Sequence, residues 1–114
     1  MPQREFNAYL RDIIEATEAI SRYVEGMTFD EYLGDTRTRD AVERRFMVIG
    51  EALSQASKLK PELQLTSLRD IVSFRNVLVH GYHGLDQPEI WRTIEEDLVP
   101  LVNEVRALLG PAPA

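Results

Sequence analysis

The sequence predicts an all-α protein, an up-and-down four-helix bundle, on three observations. Apolar residues recur at the three/four spacing of a helix face over long stretches. Glycine, proline and capping side chains divide those stretches at short intervals. No strand-like alternation, internal repeat or low-complexity linker breaks the pattern. Helices joined by short connections pack against their chain neighbours, which is the bundle arrangement. At 114 residues the chain is expected to form one domain, 1–114, large enough for a single core.

The first helix is expected from about Arg4 to Glu25, where Phe6, Tyr9, Leu10, Ile13, Ile14, Thr17, Ile20 and Val24 share one face. Gly26 ends it. Thr28 to Gly34 reads as a connector or a single helical turn whose Phe29, Tyr32 and Leu33 plug the core. The second helix starts after a cap at Asp35 or Thr36 and runs to about Lys58. Val42, Phe46, Ile49, Leu53 and Ala56 form its buried stripe, and Gly50 permits close approach of another backbone. Arg45 lies on that stripe and is expected to snorkel, its stem on apolar surface and its head in water. Glu51, one turn from Met47, is expected to be structural too and can pair with an arginine.

Pro61 closes the second helix region, and a third helix begins at Thr66 or Ser67, with Asp70 three after Ser67 as in a capping box. Leu68, Ile71, Val72, Phe74, Val77, Leu78 and Val79 are too dense for a helix with one wet face. That density implies burial on most sides, in the bundle core or a dimer seam. Gly81 supplies the stop. A fourth helix is capped by Asp86 or Gln87, with Pro88 in its first turn. Ile90, Trp91, Ile94, Leu98, Leu101, Val102, Val105 and Leu109 give its core face, and Pro100 should kink it.

Composition excludes several classes of chemistry. The chain has no cysteine, so disulfides and thiolate-held metals are ruled out. The N-terminus is charged at once and lacks the apolar run of a secretory leader. Its longest apolar run is far short of a membrane span, so a cytoplasmic protein is expected. His80 and His83 fall on different faces with no carboxylate at ligand spacing, and no H-E-x-x-H is present. No glycine-rich phosphate loop and no G-x-S-x-G elbow occurs either, so neither metal nor cofactor is expected. The net charge of −6 opposes nucleic acid at first sight. Its distribution is uneven: residues 36–75 hold eight basic and five acidic side chains, whereas the flanking parts are acidic. A basic cleft on an acidic body would suit RNA, and would serve an acidic protein partner equally well.

Arg75, Asn76, His80 and Tyr82 interrupt the apolar third helix. Arg75 and Tyr82 fall within about 20° of each other if the helix persists that far, and Asn76 and His80 share the neighbouring stripe. An unpaired buried arginine costs several kcal/mol, so the strip should face a cleft or an anion. A lone histidine at a helix end is more often a cap or a solvated group, and that reading suffices for His83. At His80 three further polar groups converge. Tyr82 can also simply pack with its hydroxyl wet, and Asn76 can simply orient His80.

The run Arg75-Asn-Val-Leu-Val-His80-Gly-Tyr82 resembles the R-x4-H-x-Y pattern of the HEPN ribonucleases, in particular the HepT-like toxins. The surrounding RDIVSFRNVLVHGYHGLD, the Ile90–Trp91 pair and the VIGEAL segment at 48–53 resemble the same group, over nearly the whole chain. Arg75 and His80 would then be catalytic in metal-independent RNA cleavage, with Asn76 and Tyr82 in support. Cleavage by internal transesterification needs two proton transfers and one chain offers a single histidine in the strip, so a two-fold dimer with a composite cleft would supply both. The resemblance implies that homodimer. It also implies an MntA-type nucleotidyltransferase antitoxin that blocks the cleft by transferring AMP to Tyr82. The rival expectation is a non-catalytic helical dimer whose polar strip docks a partner such as the nucleotidyltransferase, which the acidic net charge favours slightly.

Overall fold

The computed structural model describes residues 2–63 and 86–110. Among them are five helices and no strand, an all-α helical bundle as expected. The helices are α1 (Pro2–Tyr23), α2 (Phe29–Leu33), α3 (Thr36–Leu59), α4 (Gln87–Glu96) and α5 (Leu98–Leu109). The segment expected to form the third long helix lies outside the described residues.

Each boundary has a local cause. After α1 the chain turns through Gly26 at φ 75°, a left-handed conformation that other residues adopt at a cost. Thr28 then caps α2 in a full capping box: its Oγ1 accepts the Glu31 N–H at 3.1 Å, and Glu31 Oε1 accepts the Thr28 N–H at 2.9 Å. Asp35 is the cap of α3, accepting from the Thr38 N–H at 3.1 Å. Asp86 caps α4 through the Glu89 N–H at 3.2 Å, with Pro88 in the first turn.

Pro100 acts three residues upstream of its own position. Without an N–H it leaves the Glu96 carbonyl with no donor four residues on, so the helical run divides at Asp97 into α4 and α5. Hydrogen bonds continue on both sides of the break, from Asp97 N–H to Thr93 O at 2.9 Å and from Leu101 N–H to Asp97 O at 3.0 Å. The result is two helices that follow each other directly through Asp97.

Two sets of contacts fix direction. Lys60 lies 4.3 Å from the Phe6 ring, while Arg45 Nε donates to the Tyr23 hydroxyl at 3.2 Å, so α3 runs antiparallel to α1. Trp91 packs on Phe29 and Tyr32, and Arg106 pairs with Glu18, so the α4–α5 column also descends along α1. Between them Phe6, Leu10, Ile13, Ile20, Val42, Phe46, Ile49, Leu53, Leu98, Leu101 and Val105 are buried. Burying each large apolar side chain contributes about 2 kcal/mol. Of the expected plug, Tyr32 is fully buried and Phe29 partly so; Leu33 is instead 41 % exposed, because it falls on the outer side of a helix only five residues long.

Candidate functional site

Arg75, Asn76, His80, Tyr82 and His83 lie outside the described residues. What is described is the frame on either side of them. On the entry side, Leu63 packs against the core and its N–H donates to Lys60 O at 2.9 Å. On the exit side, Gln87 Nε2 donates to Glu43 Oε2 at 2.9 Å. Lys60 stands beside Phe6 at one end of α3, and Gln87 stands beside Glu43 toward the other. At 1.5 Å per residue, these two anchor points on α3 are about 25 Å apart.

The exit side is held by a half-buried polar relay. Tyr32 Oη donates to Gln87 Oε1 at 2.8 Å, and the same amide passes its N–H to Glu43. The Tyr32 ring is stacked with Phe29 (centroids 6.5 Å) and tilted against Trp91 (5.1 Å). Burial, with the Glu43 carboxylate beside it, pushes the Tyr32 phenol up to about 12. It is a neutral donor at physiological pH.

A second polar feature is a surface cleft of about 360 Å³ between α1 and α3. Tyr9 and Asp12 line it from α1; Arg44, Met47, Val48, Glu51 and Ala52 line it from α3 at the spacing of one helix face. Asp12 and Arg44 are exposed, whereas Tyr9, Met47, Val48 and Glu51 are half-buried. Glu51 accepts a hydrogen bond from Gln55 Nε2 at 3.1 Å. Arg45, one residue on from Arg44, points elsewhere: its guanidinium carbon stands 5.9 Å from the centre of the Tyr23 ring, half-buried as expected for a snorkelling stem.

The remaining charge clusters are exposed struts. Arg92 bridges Glu89, Glu96 and Asp97, which holds the Glu89 carboxyl below its usual range. No group of three or more histidine, aspartate or glutamate side chains is placed to hold a metal ion among the described residues. No helix among them is long and apolar enough to cross a membrane.

Sequence reasoning did not single out Gln87, Glu43, Asp12 or Arg44 for any site. The relay joins residues 44 and 55 positions apart, and no local spacing signals such a meeting. Asp12 and Arg44 carry a weak signal: each sits beside the apolar stripe of its own helix, at its polar edge.

Among the described residues the fold is a helical bundle built on two long antiparallel helices, with a helical column divided at Asp97 beside them. Within that class the chain belongs to the ribonuclease HepT-like family, whose sequence profile matches residues 13–108, a span that contains Arg75, His80 and Tyr82. It is 33% identical over 110 residues to a protein of Thermococcus cleftensis named "Probable ribonuclease HepT", covering 93% of this chain and 97% of that one. A candidate RNase of Methanocaldococcus jannaschii is 27% identical over 106 residues, covering 92% and 97%. A candidate RNase of Caldanaerobacter subterraneus is 28% identical over 102 residues, covering 89% and 91%. No solved structure matches the chain.

Proposed function

We propose that the protein is a metal-independent endoribonuclease, the toxin of a toxin–antitoxin pair, acting in the cytoplasm as a homodimer. The observation that carries the reading is the family match across 13–108, with R-x4-H-x-Y at Arg75–Tyr82 inside it. The names of the relatives, as ribonucleases, agree with it.

The chemistry suits these residue types. The ribose 2′-hydroxyl attacks the adjacent phosphorus; a 2′-O–P bond forms and the P–O5′ bond breaks. His80 of one protomer takes the hydroxyl proton, and His80 of the second protonates the departing 5′-oxygen, roles that imidazole side chains commonly fill. Arg75 pairs the non-bridging oxygens as charge builds on them, a task that fits its planar fork of donors. Asn76 orients the imidazole. No step calls for a metal ion.

Neutralisation takes place at Tyr82. An MntA-type nucleotidyltransferase partner transfers AMP from ATP: the phenolic oxygen bonds the α-phosphorus, its proton is lost and pyrophosphate leaves. The adduct adds bulk and negative charge where the RNA phosphate has to sit. The test is RNA cleavage by purified protein in excess chelator, wild type against His80→Ala. Cleavage lost in a variant that remains folded supports the reading; a wild type that never cleaves, and whose partner binding fails on Arg75 substitution, would instead mark a docking module.

A further inference from the structure

The α1–α3 cleft carries chemistry that the proposed catalytic strip does not use. We propose that it is a subsite for one unpaired guanine of single-stranded RNA. The inference rests on the ribonuclease reading for the source of that base, and on the cleft alone for its identity.

The cleft has the volume of a small-molecule site, about 360 Å³, near the lower end of the roughly 300–1,000 Å³ such sites occupy. Its lining offers apolar and aromatic surface to a flat guest: Tyr9 from α1 and Met47 and Val48 from α3, all three half-buried. Aromatic side chains of this kind are the usual platforms for splayed single-stranded bases.

Two charged groups select the guest. Asp12 lies one turn after Tyr9, exposed at the cleft, with no hydrogen-bond or ion-pair partner among the described residues. Its two oxygens match two donors side by side. Guanine alone offers that pair, N1–H and the N2 amino group, on its Watson–Crick edge. Adenine and cytosine set an acceptor beside their amino donor, and uracil sets carbonyls on both sides of its imide, all of which a carboxylate repels. Arg44 stands on the opposite helix, equally exposed and without a partner among the described residues, and its fork of donors suits the neighbouring phosphate. Glu51 is already engaged by Gln55 and is not assigned to the base. The net charge of −6 gives RNA little long-range attraction. Recognition therefore rests on stacking and on the base edge.

Fluorescence anisotropy with labelled 2′-O-methyl hexanucleotides tests this without cleavage, because the attacking hydroxyl is blocked. The oligomers are uridine tracts with a single guanine, adenine, cytosine or uracil at one place. Wild-type protein should bind the guanine oligomer about tenfold more tightly than the others, the discrimination one good bidentate contact supplies. Asp12→Asn should erase that preference, and Arg44→Ala should weaken every oligomer alike by about fivefold and reduce the salt dependence. Tyr9→Phe should bind as wild type. Asp12 and Arg44 are exposed, so these two variants keep the fold. Equal binding of all four oligomers by wild type, or guanine preference intact in Asp12→Asn, overturns the proposal. So does tighter binding of 5′-GMP than of the oligomer, which would mark a free-nucleotide site. A change of sedimentation in Arg44→Ala with RNA binding unaltered overturns it in favour of a protein interface. If wild type cuts no RNA yet keeps the guanine preference, the nuclease reading fails and the subsite stands.

Discussion

Tyr32 and Gln87, 55 positions apart, share a 2.8 Å hydrogen bond that ties the short helix α2 to the first turn of α4. The bond matters beyond its own energy, because Gln87 follows closely on the segment that carries the candidate catalytic strip. Tyr32→Phe should lower stability by about 1–2 kcal/mol, since it leaves a half-buried amide oxygen without its donor. Urea unfolding with fluorescence detection from Trp91, which touches the Tyr32 ring, reads this directly.

The same phenol gives a pH dependence of known sign. Its folded pKa is raised from 10.0 to about 12, so the folded state favours the neutral form. Its contribution is fully present below pH 10 and is lost as pH rises from about 10 through 12. The difference in unfolding midpoint between wild type and Tyr32→Phe should therefore shrink across that window, because the other tyrosines titrate in both proteins. A constant difference from pH 8 to 12 would mean that the hydroxyl is not sheltered.

Gly26 offers a test of backbone rather than packing. An added Cβ would meet nothing within 4 Å, so Gly26→Ala has room. The positive φ of 75° remains unfavourable to alanine. The substitution should cost about 1–2 kcal/mol through conformation alone. By comparison Leu53→Ala, in the core of α3 and fully buried, should cost about 2–5 kcal/mol through lost burial and the cavity left behind. Chemical denaturation of the two variants in parallel checks the order.

What the sequence made legible, and what it did not, divides by range. The boundaries of α3, the caps at Asp35 and Asp86 and the buried stripe from Val42 to Ala56 are local properties, and all appear in the structure, whereas α1 begins and ends two residues earlier than expected. Pro100 announces a kink, but the break falls at Asp97 because the missing donor is felt at the carbonyl four residues earlier. Leu33 was expected inside and lies largely outside, since apolar type alone does not fix which side of a single helical turn meets the core. The Tyr32–Gln87–Glu43 relay and the α1–α3 cleft arise only when separate helices meet. Arg75 and His80 were legible as a motif, and the family match over 13–108 encloses them.

Modification of Tyr82 can be separated from catalysis. Co-expression with a cognate nucleotidyltransferase should add the mass of AMP to the protein, and Tyr82→Phe should remain unmodified. Intact-mass spectrometry with peptide mapping decides it. An unchanged mass in wild type under those conditions would remove the neutralisation scheme and leave the nuclease reading intact.

The central claim is metal-free cleavage of RNA through its own 2′-hydroxyl, with His80 moving the protons. The most direct measurement offers one RNA and its 2′-deoxy counterpart to the purified protein in excess chelator, beside His80→Ala. We expect wild type to cut the RNA and leave the deoxy strand whole, and His80→Ala to cut neither while keeping its helical signal. Cleavage of the deoxy strand, loss of activity on chelation, or undiminished cutting by His80→Ala would contradict it.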